Sequence, residues 1–179
     1  TSIYVRHTIG LSDPLTAAEI PDDQRLTDGF PQSLEEYVQR CGLRFFKIKV
    51  ANDLDHDLAR LRQVAAIVQQ HRGTEYGVTL DGNEQYRRAV EFDQLVDAIR
   101  AEPALATFWK NVVAIEQPLE RTIALGDEQT EGVRELSGTK PVIIDESDGT
   151  LESYPRAIEV GHRGVSSKNC KGTIKSLLN

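Results

Sequence analysis

The chain has 179 residues, 39% of them hydrophobic, and a formal net charge of -7. That size describes one soluble globular domain or a large piece of one, and the acidic balance, without any Lys/Arg-rich stretch, excludes a general nucleic-acid or membrane-surface footprint. No apolar run approaches the roughly 20 residues of a membrane span, Thr1 opens no signal-peptide pattern, and Cys41 and Cys170 are too few for a disulfide framework, so reduced thiols and a cytoplasmic location are expected.

Taken in order, the chain alternates short apolar runs with amphipathic segments. It opens, without a methionine, on an apparent strand over 3–9, and closes at SLLN inside a helical pattern, so it reads as part of something longer. Next comes 10–32, with Pro14, Pro21, Pro31 and several acidic residues, too long for an ordinary strand-to-helix connection and read as a mobile insertion or a substrate lid. Strand-like runs follow at 44–50, 76–81, 111–117, 141–145 and 164–168. Their near-continuous apolar character indicates burial on both faces, as in a parallel sheet.

Helical patterns lie between them. The best, 53–72, places Leu54, Leu58, Leu61, Val64, Ala65 and Val68 on one face. Asp53, Asp55 and Asp57 crowd its first turn, His71 and Arg72 its last, and Gly73 follows, an order that complements the helix dipole. Weaker patterns occupy 85–101, 127–137 and 151–160. Repeated strand–helix units predict an α/β fold with a parallel sheet. A complete eight-fold (β/α) barrel takes about 250 residues, so this chain accommodates roughly strands one to six.

A charged residue stands at or next to the end of five of these runs: Lys49 in FFKIKV, Asp81 in GVTLDGN, Glu116 in VVAIEQP, Asp145 in VIIDES and Lys168 in GVSSKN, at spacings of 32, 35, 29 and 23 residues. A charge in an apolar strand is costly unless it is paired, metal-bound or chemically used. Barrel enzymes build their active sites at the C-terminal rim of the strands, where these residues fall. Residues i and i+2 share a strand face, so Lys47 points with Lys49, away from Phe46, Ile48 and Val50. Three converging carboxylates suit a hard divalent cation such as magnesium, and two flanking lysines suit proton transfer. A free lysine has a pKa near about 10.4. A lysine base therefore needs its pKa lowered by burial or a second cation, the role assigned to Lys47 beside Lys49 as base.

K-x-K, D-x-N, E-Q-P, D-E-S and a strand-end lysine together resemble the enolase superfamily, in particular its mandelate racemase/muconate lactonizing enzyme group. The resemblance runs from about Ile3 to the C-terminus. It implies a modified TIM barrel, with residues 1–179 forming a partial C-terminal barrel domain and with the capping domain and last two strands lying outside the chain. It also implies Mg2+ held by Asp81, Glu116 and Asp145, acid/base catalysis by Lys49 and Lys168, and orienting roles for Asn83 and Glu146. The implied chemistry is removal of the proton next to a substrate carboxylate through an enediolate, the established chemistry of this superfamily, in which a base works with magnesium. Racemisation or epimerisation, cycloisomerisation and syn-elimination all share it. The expected partners are a small-molecule carboxylate and, for the full-length protein, further copies of itself.

Blander readings stand beside these. The carboxylates could each cap a following helix, Lys47 and Lys49 could be an exposed edge pair, Lys171 competes with Lys168 as the catalytic lysine, and His7 either lines the pocket or is an ordinary loop histidine. DLDHD begins like a calcium loop but has Leu58 in place of the glycine and Val64 in place of the bidentate glutamate. IIDESDGTL resembles an aspartyl-phosphatase strand but has Glu146 in the nucleophile position. The competing class is a non-catalytic truncated barrel, a structural or partner-binding piece whose unpaired sheet edges invite association.

Overall fold

The computed structural model describes residues 3–178. Six parallel strands form one sheet in sequence order: β1 (Arg6–Ile9), β2 (Phe45–Lys49), β3 (Gly77–Asp81), β4 (Val112–Glu116), β5 (Val142–Ile144) and β6 (Gly164–Val165). The helices are α1 (Leu34–Cys41), α2 (Leu54–Arg72), α3 (Ala89–Ala101), α4 (Ala106–Asn111), α5 (Thr130–Thr139), α6 (Ser153–Val160) and α7 (Thr173–Leu178). Every strand pairs with its successor in the same direction, so the helices between strands are crossovers within a (β/α) barrel arrangement.

The strand pleat separates stability from chemistry. Ile9, Phe46, Ile48, Val78, Leu80 and Ile115 belong to the buried core, which the helices complete with Leu61, Val64, Val68, Phe92, Val96, Ile99 and Val133. Each such side chain contributes about 1.5–3 kcal/mol by leaving water. The alternate face carries Lys47, Thr79, Asp81 and Glu116. A bulge in β4 makes this consistent. Val78 pairs with Val112 but Thr79 with Ala114, leaving Val113 over and exposed. Because a one-residue slip reverses every side chain, this insertion brings Glu116 level with Asp81 on the same face.

Several elements depart from their sequence patterns. The run at 3–9 is strand only from Arg6, and the run at 164–168 is strand only over Gly164–Val165. After Val165 come two serines, whose hydroxyls compete for the backbone, and the last sheet-like bond is Ser166 N–H to Ile144 O. Leu54, expected on the buried face of α2, is 45% exposed because it opens the helix, where Asp53 caps it by accepting from His56 N–H. Residues 85–88, expected as helix, lie ahead of α3. Helices α1 and α4 have no counterpart among the helical patterns, although α1 carries a clear start signal, Ser33 and Glu36 in a capping box.

The 10–32 connection is tied down over its first half. Leu15 is buried, Arg60 donates to the carbonyls of Gly10 and Asp13, and Thr16 and Glu19 cap a short 3-10 turn at Ala17–Glu19. From Pro21 to Phe30 the residues are exposed.

Candidate active site

The rim charges assemble through strand register. Lys49 lies level with Asp81 and Asp81 with Glu116, while Ile143, two residues before Asp145, lies level with Glu116. β2 thus delivers Lys47 and Lys49, β3 Asp81 and β4 Glu116 toward a common line at the C-terminal ends of the strands, and Asp145 follows directly after β5. The Lys47 Nζ sits among the three carboxylates, 2.8 Å from Asp81 Oδ2, 2.8 Å from Glu116 Oε1 and 3.7 Å from Asp145 Oδ2. Arg6 approaches from β1 and donates to Thr79 Oγ1 and to Glu116 Oε2, both at 3.0 Å. On the far side Asp145 accepts from Lys168, and its Oδ1 lies 2.9 Å from Lys171 Nζ.

Burial and charge oppose one another here. Burial alone would lower the Lys47 pKa, but the bonds and charges of Asp81 and Glu116 outweigh it and raise the pKa above the ordinary lysine value. Burial pushes the Asp145 carboxyl up, yet hydrogen bonds and charge from Lys168 and Lys171 bring it down to about 2. Glu146 is raised, first by burial and further by the negative charges of Asp145, Asp81 and Glu84. Its Oε2 is buried with no hydrogen-bond partner.

The turns that follow the strands are strained. Asn52, Asn83, Glu84 and Gln117 all have positive φ, and they follow β2, β3 and β4. Asn tolerates that backbone, but for Glu84 and Gln117 it is costly and persists only where surrounding contacts enforce it. At Gln117 (φ 35) the contacts are evident. Its side-chain oxygen accepts from the N–H groups of Asp145 (2.7 Å) and Ser147 (3.1 Å), and its amide nitrogen donates to Leu119 O (2.7 Å) and Ser147 Oγ (2.6 Å). Asn83 joins two rim residues, its N–H donating to Asp81 Oδ1 at 2.9 Å and its side-chain oxygen accepting from Lys49.

Asp81, Glu116, Asp145, Lys47 and Lys168 are therefore connected directly, and Lys49 through Asn83. Lys49 and Lys168 stand on opposite sides of the carboxylate row, one on β2 and one beyond β6. Lys168 does not end a strand. It precedes a short 3-10 turn at Asn169–Lys171 and reaches back to Asp145 from there. The tuning role expected of Lys47 meets a counterweight, since its charge is already taken up by carboxylates. His7 is not brought to the rim. It lies on the helix side of β1, its ring 4.4 Å from that of Tyr37 on α1, lining a cavity of about 220 Å³ with Asp13, Gln32 and Ser33. Cys41 and Cys170 are free and exposed.

Three further residues join the network, and of these Arg6 carries no site signal in the sequence. Arg6 sits at the entrance of its strand and acts only through its length. Gln117 is visible in the E-Q-P triplet, but its four contacts require the folded turn. Lys171 is a rival to Lys168 by sequence, whereas in the structure both contact Asp145.

The donor set fits the magnesium that the resemblance implies. It consists of three carboxylates, all oxygen donors, with the unpartnered Glu146 Oε2 close by, the chemistry a hard divalent cation selects. In this structure, however, the Lys47 ammonium lies between the three carboxylates. Among the described residues no group of three or more His, Cys, Asp or Glu side chains is closed around a metal position.

Fold and site together define a parallel (β/α) barrel segment with lysines and carboxylates along its C-terminal rim. No family model and no curated protein matches the chain. Solved structures do share its fold. A mandelate racemase/muconate lactonizing protein from Herpetosiphon aurantiacus matches with a TM-score of 0.64 at 24% identity, over 81% of this chain and 37% of that one. The muconate lactonizing enzyme from Pseudomonas putida matches at 0.59 and 20%, over 96% and 41%. An enolase from Bradyrhizobium, complexed with magnesium and mandelic acid, matches at 0.58 and 20%, over 88% and 36%. The chain spans about two fifths of the length of these proteins. Among the described residues no helix is long and apolar enough to cross a membrane.

Proposed function

We propose that this chain is the rim-bearing part of a magnesium-dependent enzyme of the enolase superfamily, similar to the mandelate racemase/muconate lactonizing enzyme group, that removes and returns the proton next to a substrate carboxylate. The observation that carries this reading is the delivery of Asp81, Glu116 and Asp145 from three successive strands to one point, with Lys49 and Lys168 on either side. The likeness of fold to a lactonizing enzyme and to an enolase complexed with magnesium and mandelic acid supports it.

In this reading Asp81, Glu116 and Asp145 hold the magnesium, whose charge, when bound, stabilises the negative charge that develops as the substrate loses its proton. Lys49 takes the proton from one face and is held at its post by Asn83. Lys168, anchored to Asp145, serves the other face. Asn83 and Glu146 orient the residues beside them. Lysines on both faces allow a proton to leave one side and return on the other, which favours racemisation or epimerisation over cycloisomerisation and syn-elimination. His7 faces away from the rim and takes no part.

The test is magnesium-dependent deuterium incorporation from heavy water, run with the intact protein and a set of dipeptides and N-acyl amino acids. Exchange that requires magnesium and disappears in Lys49→Ala and in Lys168→Ala supports the two-lysine mechanism. Exchange that persists in both variants removes it.

A further inference from the structure

We infer that Lys47 is the resident counter-cation of the three-carboxylate centre, a side chain that a divalent cation must displace, so that Lys47 sets the centre's divalent affinity. This rests on the reading above that Asp81, Glu116 and Asp145 are the ligands.

The first argument is position. The Lys47 Nζ touches Asp81 and Glu116 at 2.8 Å each and approaches Asp145 at 3.7 Å. It occupies the point where the three carboxylates converge, and that is where a shared cation has to sit.

The second argument is charge. Four cationic side chains (Arg6, Lys47, Lys168 and Lys171) contact these three carboxylates. The centre is compensated before any metal arrives. Arg6 and Lys168 are partly exposed and Lys171 also pairs with Asp148 (3.6 Å), so the excess from a dication added without a departure would fall on the buried group of Lys47, Asp81, Glu116 and Asp145, where a low-dielectric interior opposes it. A substrate carboxylate offsets only one unit of it.

The third argument identifies which cation leaves. Arg6 contacts Glu116 from the side, through Oε2, while also holding Thr79. Lys171 is anchored by the carbonyl oxygens of Asp145 (2.6 Å) and Ser166 (3.2 Å) as well as by carboxylate. Lys168 touches Asp145 alone of the three and is 40% exposed at its side chain. Lys47 alone contacts all three carboxylates, and among the described residues those carboxylates are its ammonium's only partners. It therefore blocks the shared position and has no other anchor to lose.

Lys47 also keeps the carboxylates gathered in the absence of metal. It is a competitor for the dication and at the same time the group that preserves the site for it.

The experiment is magnesium titration by calorimetry of the intact, chelator-stripped protein, comparing wild type with Lys47→Met and Glu116→Gln. The uncharged K47M side chain should bind magnesium about tenfold more tightly or better, equivalent to ~1.4 kcal/mol. In chelator its thermal transition should fall, and magnesium should restore it. Unchanged or weaker magnesium binding in K47M, with Glu116→Gln weakened as expected of a ligand, overturns the Lys47 role and leaves the ligand reading standing. Magnesium binding that Glu116→Gln does not alter overturns the ligand reading, and this inference with it. If K47M does not fold, the wild type decides. Lys47 should react slowly with acetic anhydride in chelator and faster at saturating magnesium, read by peptide mass spectrometry. Equal labelling in the two conditions overturns the inference.

Discussion

Lys47 on β2 and Glu116 on β4 meet across the intervening strand β3, Nζ to Oε1 at 2.8 Å. Next-nearest strands in a sheet are about 9–10 Å from one another, so the contact depends on inward curvature and on two long side chains reaching over Thr79 and Asp81. Both are buried, Glu116 wholly so. Removing one member of a buried pair leaves the other charge uncompensated, at a cost of about 3–5 kcal/mol. Lys47 keeps Asp81, and the loss of one carboxylate relieves some repulsion. Glu116→Gln should therefore lie at or just below the low end, a loss of about 2–3 kcal/mol. Urea denaturation in chelator measures it, and an unchanged midpoint would show that the pair adds nothing to the metal-free fold.

Gln117 holds Asp145 in place through the backbone. The N–H groups of Asp145 and Ser147 both end on its side-chain oxygen. Gln117→Ala strands those donors, together with Leu119 O and Ser147 Oγ, in a buried turn, and each such group costs about 1–3 kcal/mol unless water replaces the partner. A net loss of about 3 kcal/mol is expected, along with weaker magnesium binding because Asp145 loses its setting. A stability within ~0.5 kcal/mol of wild type, the range of a neutral surface change, would mean that water enters and satisfies the turn.

Gly82, directly after Asp81, is a position defined by close approach. A Cβ there would stand 2.5 Å from Pro118 Cα and 3.2 Å from Gln117 O, both backbone atoms that cannot swing away. The Gly82 N–H also donates to Glu116 O at 2.9 Å, binding the ends of β3 and β4 together. Gly82→Ala should thus push the strand ends that carry Asp81 and Glu116 apart, costing about 1–3 kcal/mol as overpacking does and, in the proposed reading, lowering magnesium affinity more than an alanine placed on the surface. Gly138→Ala, where a Cβ meets nothing within 4 Å, is the control. Equal effects from these substitutions would remove the close-approach argument.

The rim is legible in the sequence because it follows from two periodicities. Strand alternation determines which residues share a face with Lys49, and the spacing of the strand–helix units places Asp81, Glu116 and Asp145 at successive strand ends. The bulge at Val113 does not disturb this, since counting back from Glu116 avoids it. Helix α1 is legible in principle through Ser33 and Glu36, but the prolines of 10–32 mask a capping box that begins just beyond them. Other features are not available to pattern reading. Arg6 acts across a large separation in sequence, the contact of both Lys168 and Lys171 with Asp145 needs the folded turn, and lysine at position 47 reads identically whether it tunes Lys49 or occupies the carboxylate centre. Asn52 and Asn83 are residue types that tolerate positive φ, but Gln117 is not, and its strain is understandable only from the contacts that offset it.

His162 gives the fold a pH dependence of its own. It lies between α6 and β6, 1% exposed, its Nε2 3.3 Å from Ala124 O and its Nδ1 without a partner. Burial lowers its pKa below the ordinary 6.5, and the bond to Ala124 O only partly opposes this. The folded chain therefore keeps His162 neutral where the unfolded chain takes up a proton. Its contribution is fully present above about pH 6.5 and is lost as pH falls from there to the depressed folded value. His7, whose pKa is lowered by burial and partly raised again by Asp13, adds a dependence in the same direction. Comparison with a variant isolates the His162 share. His162→Gln keeps a donor for Ala124 O but cannot titrate, so its stability should fall less steeply than wild type between pH 7 and 5 (roughly the range around an unperturbed histidine). Urea midpoints at about pH 7, 6 and 5 for both proteins provide the measurement, and parallel curves would mean that His162 is protonated in the folded chain as easily as in the unfolded one.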